Sequence, residues 1–236
     1  MSAKRIFVAG TDTDVGKTAI AAGLLRAARK HGLRTVALKP VAAGCDVEDG
    51  VLVNDDARIL QREATHVLDP REVNPVALEP AIAPHIAATR AGRELSADAL
   101  VRPCAPFAAR DDVDWGVIEG AGGWLVPLND SETLADVCEG LEADVVLVVG
   151  MRLGCLNHAL LTAADVARRG LTLAGWVANV LPPEMDELEE NVASLAARLP
   201  APCLGRVPAT PGEGLVDAVA VALDLAPLTG AGGSRA

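Results

Sequence analysis

Gly10-Thr11-Asp12-Thr13-Asp14-Val15-Gly16-Lys17-Thr18 is the stretch that decides the fold. It lies between a strand-like apolar run, Arg5 to Ala9, and a segment in which Ile20, Leu24, Ala27 or Ala28 and His31 recur at helical steps before Gly32 offers a left-handed stop. A glycine-flanked loop between strand and helix is where phosphate oxygens are held, because the first N–H groups of a helix lack intrahelical acceptors and carry the positive end of its dipole. In such a loop Asp14, Val15 and Gly16 bring backbone N–H groups to the phosphates, Lys17 neutralises the terminal ones and the Thr18 hydroxyl ligates Mg2+. The generic motif has four residues between its glycines, which would put glycine at position 11; here Thr11 stands there and Gly10 comes one place earlier. A strand-to-helix turn with a chance lysine is the competing reading, and the position of the loop favours nucleotide binding.

Outward from this loop, short β-branched runs alternate with longer segments of helical period. The expected strands are Arg5 to Ala9, Thr35 to Lys39, Trp115 to Glu119, Asp144 to Val149, Leu173 to Ala178 and Cys203 to Val207. Besides the first helix, one is expected from about Leu156 to Arg169, with Leu156, Leu160, Ala163 or Ala164 and Ala167 on its inner face. Another is expected over Glu184 to Leu199, entered through Pro182-Pro183. Asn74-Pro75 through Pro84-His85 reads as a connector near the mouth of the sheet. The alternation predicts an α/β fold, a doubly wound, mostly parallel sheet flanked by helices, with ligands beyond the carboxyl ends of the strands.

The chain has 236 residues, and 21 Lys+Arg against 32 Asp+Glu leave a formal charge of −11 with half the residues apolar. One domain over 1–236 is expected, with a loose tail from about 228 to 236. An acidic balance without tyrosine argues against nucleic acid, and the same charge disfavours an anionic membrane. No apolar run reaches the length of a membrane span and no cleavage site follows the first strand, so the chain reads as cytoplasmic. Five widely spaced cysteines, Cys45, Cys104, Cys138, Cys155 and Cys203, read as free thiols.

Lysine usage sharpens the nucleotide reading. The only lysines are Lys4, Lys17, Lys30 and Lys39. Lys39 closes the second expected strand, so it points at the same rim as Lys17, and two ammonium groups there suit a polyanion. A solvated strand-end lysine is the plainer alternative. Glu119 ends a strand before Gly120-Ala121-Gly122-Gly123 and suits hard-oxygen metal ligation; Asn54-Asp55-Asp56 opens an expected helix, where N-capping and metal contact compete. Asn179 ends the fifth expected strand, where its amide either pairs with an adenine edge or makes a structural turn.

Taken in order, Gly10 to Thr18, Lys39-Pro40-Val41, Asn74-Pro75, Pro84-His85, Glu119 to Gly123, Gly154-Cys155-Leu156-Asn157-His158 and Gly175-Trp176-Val177-Ala178-Asn179 resemble the motifs of the dethiobiotin synthetases, over residues 4 to about 208. The resemblance implies an ATP- and Mg2+-dependent cyclo-ligase that joins 7,8-diaminopelargonate and CO2 into a ureido ring, with ADP and phosphate as the other products. It implies Lys17 and Thr18 on phosphates and metal, Lys39 on the carbamate and the transferring phosphoryl group, and Thr13 near the diamine. It places Asp56 and Glu119 in the metal shell, Gly122 and Asn179 on the nucleotide, and Gly154, Cys155 and Asn157 on the substrate's carboxylate tail from a neighbouring subunit of a homodimer. Ala43 departs from the family serine at its position and removes a hydroxyl from the diamine end.

The main rival is a switch ATPase of the partition or division-site type. Those loops carry an extra lysine near the first glycine, where this chain has Gly10-Thr11-Asp12-Thr13. An amidating synthetase on the same scaffold would need a glutaminase portion, for which the length leaves no room.

Overall fold

The computed structural model describes residues 3–108, 110–210 and 212–229. The chain runs β1 (Lys4–Gly10), α1 (Lys17–Lys30), β2 (Thr35–Leu38), β3 (Val41–Ala43), β4 (Asp46–Glu48), β5 (Val51–Val53), α2 (Asp55–Glu63), α3 (Pro70–Val73), β6 (Val76–Leu78) and α4 (Pro84–Arg90). It continues through α5 (Ala97–Ala108), β7 (Trp115–Glu119), α6 (Leu134–Gly140), β8 (Asp144–Met151), α7 (Cys155–Arg168), β9 (Leu173–Val180), α8 (Leu188–Ala196), β10 (Cys203–Val207), α9 (Leu215–Ala222) and α10 (Ala226–Thr229). All six expected strands join one parallel sheet in the order β10-β9-β8-β1-β7-β2. From β1 the chain winds outward to β2 on one side, and after β7 it crosses to β8 on the other. The crevice where the winding reverses lies beyond the carboxyl ends of β7, β1 and β8, and it holds the Gly10–Thr18 loop.

The side-chain alternation of β1 splits the core in two. Ile6 and Val8 point to the layer that holds α1, α2 and α9, while Phe7 and Ala9 point to the layer that holds α5, α6, α7 and α8. Both faces are covered, as the unbroken apolar strands require. In the first layer Gly23 of α1 lies against Val219 of α9, and Arg26 ties three helices together by a bidentate pair with Glu63 of α2 (2.8 and 2.5 Å) and a contact to Asp217 of α9 (2.9 Å).

Several expectations change. The second strand ends at Leu38, one residue before Lys39. His31 is not on the inner face of α1; it is exposed and caps the helix end, with Gly32 left-handed behind it at φ 76°. The inner face of α7 is Cys155, Ala159, Thr162, Ala163 and Val166, rotated from the Leu156–Leu160–Ala167 stripe, because small side chains let the helix sit close to the sheet. Helix α8 does not begin at Glu184: Glu187 is left-handed at φ 52°, and the helix starts where Leu188 becomes buried, seven residues before buried Leu195. The Asn74–His85 connector contains β6, which pairs in parallel with β3 in a small second sheet. Leu228 and Thr229, assigned to the tail, belong to α10, with Leu228 buried; Gly230 to Ala236 lie outside the described residues. No helix among the described residues is long and apolar enough to cross a membrane.

A methyl group at Gly23 would meet the Val219 Cβ at 2.6 Å and the Ala220 nitrogen at 3.3 Å. Alanine gains about 1 kcal/mol of helix propensity over glycine, but overpacking a close helix crossing costs about 1–3 kcal/mol. Val219 Cγ1 is nearer still and could rotate away, but the Val219 branch point and the Ala220 backbone cannot, so the clash wins. Gly23→Ala is expected to lower the urea midpoint, and a raised midpoint would show that α1 and α9 have room to part.

Candidate active site

The phosphate loop keeps its shape through close approaches. A Cβ at Gly10 would stand 2.8 Å from Val15 Cγ2 and 2.9 Å from the Asp12 carbonyl, which explains glycine at position 10. Asp14 is left-handed at φ 57°, and so is Gly16 at φ 87°, where any Cβ would collide with the Asn179 amide. Gly16 caps α1 with no side-chain acceptor, so the opening N–H groups of a 14-residue helix face the loop uncapped. Beneath the loop Asn179 donates its amide to the Val15 carbonyl at 2.8 Å. That bond gives Asn179 the work of supporting the loop from β9 with one of its two amide N–H groups.

Lys17 and Lys39 are both buried, at 7% and 4% exposure. Lys17 donates to the Asp12 carbonyl at 3.1 Å. Burial pushes its pKa down and the neighbouring charge of Lys39 lowers it too, opposed by Glu119, Asp56 and Asp14; the net direction is downward. Lys39 donates to Asp56 and to Glu119 Oε1, both at 2.8 Å. Burial works against its charge, yet the two carboxylates outweigh burial and raise its pKa. Asp56 shows the mirror image: burial alone would raise its pKa, and Lys39 holds it below the usual aspartate range. The solvated strand-end reading of Lys39 is therefore wrong, because the pairing of β2 with β7 (Leu38 opposite Ile118) sets Lys39 beside Glu119 under cover.

Thr18 donates to Glu119 Oε1 at 2.8 Å, and Glu119 Oε2 is buried with no partner among the described residues. A buried carboxylate oxygen left unpaired next to a hydroxyl and a second carboxylate fits a hard divalent cation that takes its other ligands from phosphates and water. Asp56 stands on α2, which Asn54 caps by accepting from the Ala57 N–H at 3.1 Å; Asp55 is left 82% exposed and outside the cluster.

These groups line a cavity of about 710 Å3 together with Thr13, Asp14, Gly16 and Gly122. Its far wall is apolar: Ala42 and Ala43 from β3, Ala81 to Pro84 ahead of α4, and Ala121 and Val126 after β7. Sequence reasoning singled out Ala43, Pro84 and Ala121 of this wall; it missed Ala42, Ala81, Ile82, Ala83 and Val126, which carry no chemistry of their own. It also missed Arg152, which pairs with the Asp12 carboxylate across the crest of the loop. His85 lines a neighbouring depression, with its Nδ1 buried and unpaired among the described residues. Gly154, Cys155 and Asn157 do not enter the cavity. They open α7, where Gly154 is left-handed at φ 99° and offers no side-chain cap, Cys155 is buried and Asn157 exposed.

A family model described as an AAA domain matches residues 4–213. The chain is 56% identical over 228 residues to a protein of Cellvibrio japonicus named ATP-dependent dethiobiotin synthetase BioD, covering 97% of this chain and 99% of that one. It is 55% identical over 226 residues to the protein of the same name from Pseudomonas aeruginosa, covering 94% and 96%. The chain belongs to the dethiobiotin synthetase family. Among solved structures the septum site-determining protein MinD of Pyrococcus horikoshii matches with a TM-score of 0.56 at 15% identity, covering 92% of this chain and 86% of that one. A ParA family ATPase of Chlorobium tepidum matches with a TM-score of 0.51 at 16% identity, covering 93% and 90%. At such identities the likeness shows the fold they share with this dethiobiotin synthetase family member, a parallel sheet with a phosphate loop, and nothing of function.

Two predictions follow from the charges in this synthetase cavity. Lys39→Met leaves Glu119 and Asp56 together without a cation and is expected to cost about 3–5 kcal/mol at neutral pH, measured by urea unfolding. The depressed Asp56 contributes stability above its unfolded pKa and loses it as pH falls through its folded one; the raised Lys39 contributes below its unfolded pKa and loses it as pH rises through its folded one. The gap between wild type and variant should therefore be flat through the neutral range and close in strong acid and strong alkali. Separately, the lowered Lys17 regains its charge against phosphates, so ADP binding at alkaline pH is expected to take up a proton. Calorimetry in buffers of different ionisation enthalpy reads this directly, and Lys17→Met should abolish it.

Proposed function

We infer that this chain is an ATP-dependent dethiobiotin synthetase, a ligase of biotin biosynthesis that closes the ureido ring of dethiobiotin from 7,8-diaminopelargonate and CO2. The observation that carries the reading is the pair of buried ammonium groups, Lys17 and Lys39, converging with Thr18, Asp56 and Glu119 at one end of a cavity whose other end is apolar. A triphosphate suits the charged end and an aliphatic diamine the other.

The chemistry explains the arrangement. One substrate amine adds to CO2, forming a C–N bond and losing a proton to give a carbamate. The carbamate oxygen attacks the γ-phosphorus, and ADP leaves with the electrons of the broken P–O bond. The second amine then attacks the carbamoyl carbon and forms a second C–N bond; the carbon–oxygen bond to the phosphoryl group breaks, phosphate departs with its electrons, and the amine's proton is lost to it or to solvent. Carbamate and γ-phosphate repel each other, so they meet in line only between fixed positive charges, and Lys17 and Lys39 stand where these are needed. Mg2+, held by Thr18, Asp56 and Glu119 with the phosphates, supplies further charge neutralisation at the transferring group. Lys39 exchanges its contacts with Asp56 and Glu119 for the carbamate and phosphoryl oxygens. Thr13 offers a hydroxyl beside Gly122 at the diamine end, where Ala43 presents only a methyl group.

The uncapped start of α7, Gly154 to Asn157, lies outside its own cavity beside Leu153, which is 96% exposed. Backbone N–H groups at a helix start hold carboxylates, so this edge serves the substrate tail in a neighbouring subunit's site, in a cytoplasmic homodimer with shared active sites.

The test is whether ADP release requires diaminopelargonate and bicarbonate together and yields the cyclic urea by mass. Lys39→Ala is expected to lower kcat by about 10²–10³, the usual loss of one preorganised donor, with Mg-ADP affinity changed only a few-fold. ADP release that ignores the diamine and responds to DNA, lipid or a protein partner would instead favour a switch ATPase, and equal losses of affinity and turnover in Lys39→Ala would remove the role given to Lys39.

A further inference from the structure

The cavity wall formed by Ala121, Gly122 and Val126 belongs to the connector that runs from Glu119 at the end of β7 to Thr133 at the start of α6. Its opening, Gly120-Ala121-Gly122-Gly123, has little conformational preference of its own. A Cβ at Gly120 would stand 3.0 Å from the Phe7 ring, and Gly122 is left-handed at φ 66°, with a Cβ there 2.8 Å from Val126 and 3.5 Å from the Thr13 hydroxyl. The wall thus lines the same cavity as Thr13, with Gly122 leaving no more than a methyl group's room before its hydroxyl, and its position must be set from outside the glycines.

Trp124 sets it. The indole is 4% exposed, packs edge-on against Phe7 with ring centroids 6.2 Å apart, and donates its Nε1–H to Asp165 Oδ2 on α7 at 2.8 Å. The far end of the connector reaches the same carboxylate. Thr133 and Asp136 form the capping box of α6, Asp136 accepts from Arg169 at 2.9 Å, and Arg169 Nε donates to Asp165 Oδ2 at 2.9 Å. Both ends of the connector are therefore fastened to one oxygen of Asp165, on the helix that backs the wall. The side chains of Asp165 and Arg169 are each 14% exposed, and sheltered charge-assisted bonds of this kind are the stronger ones.

We propose that Trp124 and Asp165 are positioning residues for the substrate: they fix the Gly120–Val126 wall against Thr13 and so set how well the diamine is held, without touching the phosphate site. This rests on the diamine reading of the cavity. Trp124→Phe keeps an aromatic ring facing Phe7 and removes the N–H together with part of the buried indole. It is expected to raise the KM for diaminopelargonate about fivefold to tenfold, with kcat within twofold and Mg-ADP affinity unchanged. Asp165→Asn, which keeps an acceptor for the indole, should give a smaller rise, and Asp165→Ala a larger one. Hydrogen exchange of the 120–126 amides in the unliganded protein should speed up in Trp124→Phe while α1 and β1 stay as they are. Unchanged exchange would overturn the pin whatever the activity. An unchanged KM, or kcat and KM worsening together in step with a lowered Tm, would overturn the positioning role. Wild-type protein inert toward the diamine would instead fell the functional reading, and with it the diamine part of this one, while the exchange result still judged the pin.

Discussion

Buried Lys39 is held between two carboxylates, Glu119 in the interior and Asp56 at the edge of the cavity. Glu119 is 1% exposed, and nothing except Lys39 and the Thr18 hydroxyl is within hydrogen-bonding reach of its Oε1 among the described residues. The arrangement is built by strand pairing, since β2 and β7 bring position 39 beside position 119 and β1 carries the phosphate loop in from the other flank of β7. Lys39 and Glu119, both buried, are each stable as ions because the other is present, and either would cost several kcal/mol if left alone. A site held in this way is poised for exchange, because an incoming anion with its metal offers both signs of charge a new partner.

The overall charge of −11 gives this local cluster its importance. A polyanion approaching such a surface is repelled at long range, but screening confines that repulsion to about 8 Å at physiological salt. Inside that distance the field is set by the few charges at the strand ends, and Lys17, Lys39 and the start of α1 are the positive ones. Arginine, which carries most of the remaining positive charge, is largely occupied in ion pairs away from the reacting groups, as at Arg26 with Glu63 and Arg169 with Asp165.

The two ends of the cavity are made differently. The charged end stands on strand termini and a helix start, which the sheet holds in place. The apolar end is made of Ala42 and Ala43 on the short strand β3, Pro84 at the start of α4, and alanines, Ile82, Gly122 and Val126 on connectors, which take their positions from neighbours. Helix α7 is the neighbour that matters most on one side: its inner face packs with small residues close to the sheet, its Asp165 fastens the wall, and its uncapped start is left at the surface.

The six strands, the phosphate loop and the acidic strand end were legible in the sequence because each is a local signal: an apolar run, a glycine spacing, a carboxylate before glycines. Lys17, Thr18, Lys39 and Glu119 could be named from such signals, Asp56 and Gly122 came with the family resemblance, and all six are found lining one cavity. What the sequence left open was always a matter of partners distant along the chain. Asn179 offered an adenine contact or a turn, and the packed chain gives it a further task, supporting the Val15 carbonyl 164 positions away. Lys39 offered a polyanion contact at the rim or a solvated strand-end ammonium, and its burial was decided by a partner eighty residues on. The late start of α8, the rotated face of α7, the β3–β6 pair and the Trp124–Asp165 bond follow from which surfaces meet. Local pattern determined the elements and their chemistry; the burial and partnering of charges, on which their reactivity depends, came only with the packed chain, because a dielectric environment belongs to the space around a residue and not to its neighbours in sequence.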